Sequence, residues 1–423
     1  MKLTRMTFFF WSLMISGSVL TWGSQGKAKE PPPVKAALEV HEWGTFTAVL
    51  GSDGMLLPWY QSGLTSAEEL PEFVPSLFSI PVRKGAQAWT VRMETPVLYF
   101  YAEEATDLDV RVGTQKIAVT EAYPVGERIS TESQTGLERS AGVQSSWGWK
   151  VRILPPDDAV GKLMPKVGER GAHYAEARAV PDAWWVEAQG IDPVDGTKRR
   201  EVEKFIFYRG AGAPDMIPRG WPIGDHKVMM RRDEGPAYLI RVGKDGLHWR
   251  KEAPREEEKQ ENGIVMEPGQ EDGLGVEALV QELEVDLARA GLTEAEAAAM
   301  VATWRTSWLE EEGLRILEVL PRALVDAVLP LQIRPQPSKL KRVFVGRWEL
   351  MTREMMARIE AEMESGQEME VVVDRLQELR LGRFWAAAME LLARERDRSF
   401  RMKTDSLVNA LQTLQNNENS ESR

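Results

Sequence analysis

Short segments in which apolar and polar residues alternate recur between residues 37 and 250, and they constrain the fold more than any other feature. Ala37–Leu50 alternates loosely, Leu108–Val112 and Trp147–Ile153 alternate cleanly, Gln87–Tyr101 is the best strand candidate, and Lys204–Tyr208 is a short aromatic run, with glycine and proline between many of the segments. Alternation places successive side chains on opposite faces of a strand, so each segment predicts a strand with one face turned to a core. Many short strands with such punctuation predict a β-sandwich-like domain over residues 37–250.

Two local features refine this β-rich region. The turn Gly243-Lys-Asp-Gly246 separates the short runs Ala237–Val242 and Leu247–Arg250, which predicts a hairpin. Pro96 falls inside the longest strand candidate, and a proline cannot donate a hydrogen bond to a neighbouring strand. It therefore predicts two strands, a bulge or an edge strand at that position.

The sequence pattern changes after residue 250. Residues 251–273 are charged, contain glycine and proline, and carry few large apolar side chains, which predicts a charged linker. Helical spacing then begins, and one face of the first predicted helix carries Val276, Leu279, Val280, Leu283 and Leu287. Gly291 ends that helix, and Thr293 with Glu296 forms a capping box for the next one.

Together these patterns predict an α+β protein, with an N-terminal β-sandwich-like region followed by a mainly helical region with a few strands. The helix-rich α+β region covers residues 274–415. Leu314–Leu320 and Arg342–Leu350 are its extended segments, because they are rich in β-branched and apolar residues, and they are candidates to return to the sheet. The polar tail at 416–423 is predicted to be disordered.

Residues 1–26 have the layout of a secretory signal peptide. Lys2 and Arg5 precede the apolar run Met6–Leu20, and small and polar residues follow it. The run is shorter than the roughly 20 residues that a membrane-spanning helix needs. Residues 27–36 form a proline-rich linker. We therefore expect an exported, periplasmic or extracellular protein, without a transmembrane segment after signal removal.

The composition excludes several chemistries. The chain contains no cysteine, so disulfides, a lipoprotein anchor and a cysteine nucleophile are excluded. The formal net charge is -12 at pH 7, which argues against nucleic acid as a partner, because such binding needs a basic surface. The 15 tryptophans predict aromatic packing in the core, or a groove that binds a glycan or a peptide.

No strong catalytic motif is present. The sequence lacks His-Glu-x-x-His, Gly-x-Ser-x-Gly, a P-loop, Gly-x-Gly-x-x-Gly and an EF-hand loop. A histidine-dependent site must therefore use one or more of His41, His173, His226 and His248. In a strand, His41 shares a face with Trp43, whereas Glu42 points to the other face. His41 is either a metal ligand or general base, or an ordinary hydrogen-bonded histidine.

One candidate metal site combines residues that are far apart in sequence. His41, His173 and Glu94 supply the imidazole and carboxylate donors that zinc accepts. His173 opens a second strand-like segment, His173–Arg178. The three residues have no spacing signature, so a divalent metal cofactor requires that separate strands bring them together.

A second candidate site lies in the segment Trp304–Arg315. If the segment is helical, Trp304, Trp308 and Glu311 lie on one face, with Arg305 next to them in sequence. Carboxylates beside tryptophans suit general acid catalysis, because burial favours the protonated form. The alternative is that the tryptophan face packs on the sheet and that Gly313 ends the helix.

The segment His41-Glu-Trp-Gly-Thr-Phe-Thr47, close to the predicted mature N-terminus, resembles one in a family of uncharacterised exported bacterial proteins. Further segments resemble the same family, namely Glu94–Tyr101, Lys204–Gly210, Trp304–Arg315 and Arg342–Arg347. They span most of the mature chain, so the resemblance covers the whole protein. It implies export, but it implies no known activity and no catalytic residue.

Two classes of function follow. The first is a non-enzymatic binding or structural module for a glycan, a peptide or a cell-envelope partner, with candidate binding residues His41, Glu42, Trp43, His173, Trp304, Arg305, Trp308 and Glu311. The second is a metal-dependent hydrolase built from His41, His173 and carboxylates. The missing motifs favour the first class, although the sequence leaves open whether the protein is an enzyme. The second class predicts that these residues converge in one pocket.

Overall fold

The computed structural model describes most of the chain after residue 36. The described residues are 37–57, 70–77, 89–129, 146–169, 171–192, 194–224, 227–231, 235–252, 264–268, 275–368, 371–372, 375, 385–394, 396, 400–404 and 406–407. The predicted signal peptide at 1–26, the linker at 27–36, the tail at 416–423 and His226 lie outside them. Within the described part of the chain, no helix is long and apolar enough to cross a membrane.

Strands form most of the secondary structure. In chain order they are β1 Glu39–Leu50, β2 Val91–Tyr101, β3 Thr106–Gly113, β4 Ile117–Tyr123, β5 Glu127–Ile129, β6 Ser146–Leu154, β7 Trp185–Ile191, β8 Lys198–Glu203, β9 Ile206–Gly212, β10 Gly220–Pro222, β11 Val228–Met230, β12 Ala237–Gly243, β13 Gly246–Glu252, β14 Ile264–Met266, β15 Gly313–Val319, β16 Leu331–Arg334 and β17 Lys339–Leu350. The helices are α1 Ala172–Glu176, α2 Val276–Ala290, α3 Glu294–Arg305, α4 Arg322–Val328, α5 Arg353–Glu364 and α6 Trp385–Arg394. The chain also forms a 3-10 helix at Ala159–Leu163 and a π-helical turn at Thr306–Glu310.

A parallel pair of strands lies at the centre of the largest sheet. β1 and β17 pair along their whole length, from Glu39 beside Lys339 to Leu50 beside Leu350. The eight strands of this sheet follow the order β13-β12-β15-β17-β1-β2-β9-β4. The first and last thirds of the sequence therefore meet in the middle of one sheet.

The large sheet is covered on both faces. In β1 every residue from Val40 to Leu50 is buried, as expected for a strand with a core on either side. Val40, Phe46 and Phe344 belong to one core cluster, which also contains residues of the six-stranded sheet. Trp43 and Val343 belong to the other cluster, which contains residues of α2 and α3. The architecture is thus a sheet-sheet-helix stack.

Two smaller sheets accompany the large one. The six-stranded sheet follows the order β16-β3-β6-β7-β8, with β5 paired to β6. Its strand β3 buries Leu108 and Val110 and leaves the residues between them more exposed, so one face meets the core and the other faces solvent. The three-stranded sheet has the order β10-β11-β14.

Helices α2 and α3 cover the second face of the large sheet. Apolar spacing on α2 buries Leu279, Leu283 and Leu287, and Gly291 follows its last residue in a positive-φ conformation that suits glycine. The Thr293 side chain accepts a hydrogen bond from the Glu296 amide, and the Glu296 side chain accepts one from the Thr293 amide. The predicted capping box is confirmed. Farther along the chain, Met356 and Ile359 of α5 pack in a third core cluster with Val49 of β1.

The predicted fold class, α+β with a β-sandwich-like region followed by a mainly helical region, is wrong. Among the described residues, strands account for 41% and helices for 27%, and the β-rich region spans most of the chain. β15 and β17 lie inside the large sheet, between β12 and β1. The helical spacing of residues 276–308 was real, but local spacing does not reveal that the following strands pair with partners up to 300 residues away.

Some local predictions are confirmed and others are wrong. β12 and β13 form the predicted hairpin, with Gly243 beside Gly246. His173 lies in the short helix α1 and not in a strand. The strand prediction failed because His173–Arg178 carries too few apolar residues to show a clear period. The strand β14 lies inside the segment 251–273 that was predicted to be a charged linker.

The pairing of β1 with β2 is irregular where Pro96 interrupts β2. The register shifts between Trp43 and Thr45, and Thr95 adopts a φ of 48°, which is strained for a β-branched residue. Of the three alternatives predicted at Pro96, the structure shows the bulge, since β2 is one strand and lies between β1 and β9. Gly44 lies opposite, where an added Cβ would be 2.7 Å from Phe344 Cε1 and 3.1 Å from Pro96 Cα.

We expect Gly44→Ala to destabilise the protein by about 1–3 kcal/mol, because overpacking a tight core forces side chains and backbone to shift. Urea unfolding measures the change. Gly168→Ala is the matched control, since an added Cβ there meets nothing within 4 Å. Equal stability of the two variants would contradict the close packing at Gly44.

Candidate functional site

His41 lies against a fully buried carboxylate on the helix-covered face of the large sheet. Its Nδ1 is 3.0 Å from both carboxylate oxygens of Glu296. The Tyr101 hydroxyl donates to Glu296 Oε1 at 2.6 Å, and the Thr293 amide donates to Oε2 at 2.8 Å. Glu296 therefore joins the start of β1, the end of β2 and the first turn of α3.

This contact orients the imidazole of His41. A carboxylate at Nδ1 fixes the ring and its tautomer, as in sites where histidine acts as a base or a metal ligand through Nε2. Here Nε2 faces Glu39, with 4.0 Å between Nε2 and Glu39 Oε2. Burial and the Glu296 carboxylate raise the pKa of Tyr101, so its hydroxyl stays a donor at neutral pH. The capping box could be read from the sequence, but the 255-residue separation hid the contact of Glu296 with His41.

Glu42 serves a separate cluster on the opposite face of β1. Its carboxylate accepts hydrogen bonds from the Tyr208 hydroxyl and from the Arg342 guanidinium. Burial alone would lower the pKa of Arg342, but the Glu42 carboxylate raises it overall. The expectation that His41 and Glu42 point to opposite faces is confirmed.

The tryptophans predicted to bind a partner are buried. Trp43 and Trp308 are fully buried, and Trp304 is 5% exposed. Trp304 and Trp308 stack with 6.2 Å between ring centroids, in the cluster that packs α3 on the sheet. Their burial fits the packing alternative and leaves them inaccessible to a partner. Arg305 is instead partly exposed and pairs with Glu277 and Glu310.

The structure does not bring the predicted metal ligands together. Glu94 accepts a hydrogen bond from Thr47 at 2.6 Å, and Thr47 is about 20 Å from His41 along β1 at about 3.3 Å per residue. His173 lies beside Trp304, with 6.4 Å between ring centroids. Trp304 is about 12 Å from Glu296 along α3, at about 1.5 Å per residue. Among the described residues, no three His, Asp or Glu side chains group as metal ligands.

A row of buried charged side chains crosses the helix-covered face of the large sheet, farther along the strands than His41. Glu349 Oε1 accepts hydrogen bonds from Arg315 Nε at 2.7 Å and from Arg347 Nε at 2.6 Å. Arg347 Nη2 also donates to Glu311 at 3.1 Å. Glu311 directly follows the π-helical turn and is 45% exposed, so it links this network to solvent.

The row of charged side chains continues onto β1 and β2, which lie on the side of β17 opposite to β15. Thr47 of β1 contacts Glu94, and Arg92 Nε is 3.5 Å from Glu94 Oε1. The segments that carry the family resemblance lie close together here, because β15, β17, β1, β2 and β9 are adjacent strands. Arg347 and Glu349 are two residues apart in the extended segment Arg342–Leu350, so the sequence alone places them on one face of a strand, whereas it does not indicate that Arg315 or Arg92 lies beside them.

In this row the charges of the buried carboxylates and guanidinium groups compensate one another. Burial opposes ionisation of Glu349, but the charges of Arg315 and Arg347 hold the pKa of Glu349 below its usual value. Burial lowers the pKa of Arg315. Buried ion pairs of this kind fix strands in place only while both signs are present.

The three-stranded sheet exposes a tryptophan that sequence reasoning did not single out. Trp221 of β10 is 38% exposed, and Val265 of β14 is 53% exposed. Both lie opposite Met229 of β11, so the three side chains form one row across the sheet. The alternation of exposed and buried positions over three-residue strands was too short to read from the sequence.

Comparison with known proteins gives little guidance. No protein family matches this sequence, and no curated protein is significantly similar to it. One structural neighbour is the zebrafish (Danio rerio) Fcho1 Mu homology domain with a bound Eps15 peptide. The TM-score is 0.27 at 9% sequence identity, over 74% of this chain and 97% of that chain. A similarity this low carries no argument about fold or function.

We expect Glu349→Gln to destabilise the protein by about 3–5 kcal/mol, because it leaves two buried guanidinium groups without their shared carboxylate. The depressed pKa of Glu349 sets the pH dependence. The ionised Glu349 carboxylate stabilises the fold fully above the unfolded-state pKa of about 4.3. This stabilisation is lost as the pH falls through the lower folded-state pKa.

Urea unfolding of wild type and variant from pH 3 to pH 7 measures this. The stability difference should be largest at pH 7 and should shrink below pH about 4.3. Glu364→Gln, at an exposed position on α5, is the control. A Glu349→Gln variant within about 0.5 kcal/mol of wild type at pH 7 would contradict the network.

Proposed function

We propose that this chain is an exported binding protein that captures a polypeptide partner on the row Trp221, Met229 and Val265. The exposure of this row is the observation that carries the proposal. An aromatic, a thioether and an aliphatic side chain lie side by side on the outer face of a sheet. Tryptophan and methionine are enriched in protein interfaces.

Buried residues of the same strands anchor the row. Val228, Met230 and Met266, the neighbouring residues on β11 and β14, are buried in the core between the sheets. Alternation along a strand then turns Met229 and Val265 outward. Side chains anchored in this way lose little freedom when a partner binds, which favours affinity.

Three more exposed apolar residues lie near Trp221 in sequence or next to Gly54, which lies beside it. Ile223 lies two residues after Trp221 and is 46% exposed, and Ile217 is 68% exposed. Gly54 lies next to Trp221, because an added Cβ would be 3.2 Å from Trp221 Cβ, and the adjacent Met55 is 60% exposed. Contiguous exposed apolar side chains mark interaction sites in soluble proteins, and Trp221, Met229 and Val265 are contiguous across the sheet.

The chemistry of the row favours a polypeptide over a glycan. A sugar presents hydroxyls that need donors and acceptors beside the aromatic ring, whereas the side chain opposite Trp221 across the sheet is that of Met229, with Val265 beyond it. Methionine adapts its shape to different apolar side chains and is frequent at peptide-binding surfaces. A peptide with apolar side chains satisfies such a surface without unpaired polar groups.

The sequence supports the export part of the proposal. Lys2, Arg5 and the apolar run Met6–Leu20 have the order of a signal peptide, and the resemblance to an exported bacterial family agrees with it. Fractionation of cells that produce the full chain, with mass spectrometry of its N-terminus, tests export. No observation favours the metal-dependent hydrolase, since His41, His173 and Glu94 contact separate residues.

We expect Trp221→Ala to weaken peptide binding by at least about tenfold, because truncation of an interface tryptophan often costs about 2 kcal/mol or more. A displayed library of random 12-residue peptides is selected on the wild-type chain, and enriched peptides are titrated by fluorescence anisotropy. Ile191→Ala, at another exposed apolar position, is the control and should bind as wild type does. Failure to enrich any peptide, or equal binding by Trp221→Ala, would contradict the proposal.

A further inference from the structure

The solvent-facing side of the six-stranded sheet carries a depression with a volume of about 600 Å³. Strands β3, β6 and β7 contribute its polar lining through Asp107, Asp109, Lys150, Arg152, Glu187 and Gln189. Arg334 and Pro335, at the end of β16, also line it. The volume lies within the range of about 300–1,000 Å³ that is typical of small-molecule sites. This depression and the row at Trp221 lie on different sheets.

Several polar side chains of the depression are hydrogen-bonded, either to one another or to an arginine beside the depression. Arg111 donates to both carboxylate oxygens of Asp109 at 2.7 Å. Arg152 Nη1 donates to Asp107 at 3.1 Å. The two hydrogen bonds from Arg111 hold the Asp109 carboxylate in one direction before a ligand arrives, which reduces the entropy that binding costs.

Glu187 and Gln189 of β7 line one part of the depression. The Glu187 residue is 8% exposed, and its Oε1 accepts hydrogen bonds from Arg200 Nε at 2.6 Å and from Gln189 Nε2 at 3.2 Å. Gln189 itself is exposed. Its amide therefore presents a donor and an acceptor in a direction fixed by a nearly buried carboxylate.

Charge and polarity along the lining point to the class of ligand. Asp107, Asp109 and Glu187 balance Lys150, Arg152 and Arg334, so an ion of either sign meets repulsion as well as attraction. A hydroxyl group both donates and accepts, and it therefore matches alternating carboxylates and guanidinium groups. Pro335 adds an apolar contact for C–H groups.

We propose that this face of the six-stranded sheet binds a neutral saccharide. The ring hydroxyls bind between the paired side chains of β3, β6 and β7, and the C–H groups of the sugar contact the apolar lining. The site is separate from the apolar row proposed to bind a polypeptide, so the two proposals fail or succeed independently.

Isothermal titration calorimetry of the full chain tests the proposal. The probes are the neutral oligosaccharides maltotetraose, cellotetraose and tetra-N-acetylchitotetraose, with tetragalacturonic acid and chitosan tetramer as charged counterparts. We expect at least one neutral probe to bind more tightly than the charged ones. Gln189→Ala and Asp109→Asn should each weaken that binding by about five- to tenfold, the effect of losing one or two hydrogen bonds.

Two control variants distinguish binding in this depression from binding elsewhere on the molecule. Gln281→Ala, at an exposed position on α2, and Trp221→Ala should both leave saccharide binding unchanged. The proposal is overturned if no neutral probe binds, if a charged probe binds more tightly, or if Gln189→Ala and Asp109→Asn bind as wild type does. A loss of binding in Trp221→Ala would also overturn it, since the ligand would then lie on the other sheet.

Discussion

The parallel pairing of β1 with β17 is the constraint on which the rest of the structure depends. It joins residues 300 positions apart, and buried charges reinforce it, because Arg342 of β17 donates to Glu42 of β1. Closing so long a segment has an entropic cost that local contacts cannot offset. Burial of apolar side chains on both faces of β1 offsets this entropic cost, since Trp43 and Phe46 are fully buried on opposite sides.

The position of each proposed site depends on the central strands β1 and β17. One face of the large sheet packs on the six-stranded sheet, whose other face carries the polar depression. The three-stranded sheet buries Met230 and Met266 in the same core, which leaves Trp221 outside. The second face of the large sheet is occupied by helices and by the charged row at Glu349. Both proposed sites are therefore on the smaller sheets, and the central strands provide stability.

Local order could be predicted from the sequence and long-range pairing could not. Alternation separated His41 from Glu42, turn residues located the hairpin at Gly243, and Thr293 located the start of α3. The fold class was wrong because the apolar residues of β15 and β17 show a strand but not its partner. The contact of His41 with Glu296 was missed for the same reason. Among the candidate binding residues, Trp304 and Trp308 turned out to be core, because aromatic content does not distinguish buried from exposed positions.

Hydrogen–deuterium exchange of the native chain, followed by mass spectrometry of peptides from β1 and β17, tests the central pairing most directly. If the two strands form one cooperative unit, their slowest amides exchange only through global unfolding and share one free energy of opening. That value should equal the free energy of unfolding measured with urea. Exchange of β15 and β17 at a clearly lower free energy than β1 would show that the C-terminal strands open separately, and it would contradict a single sheet built on this pair.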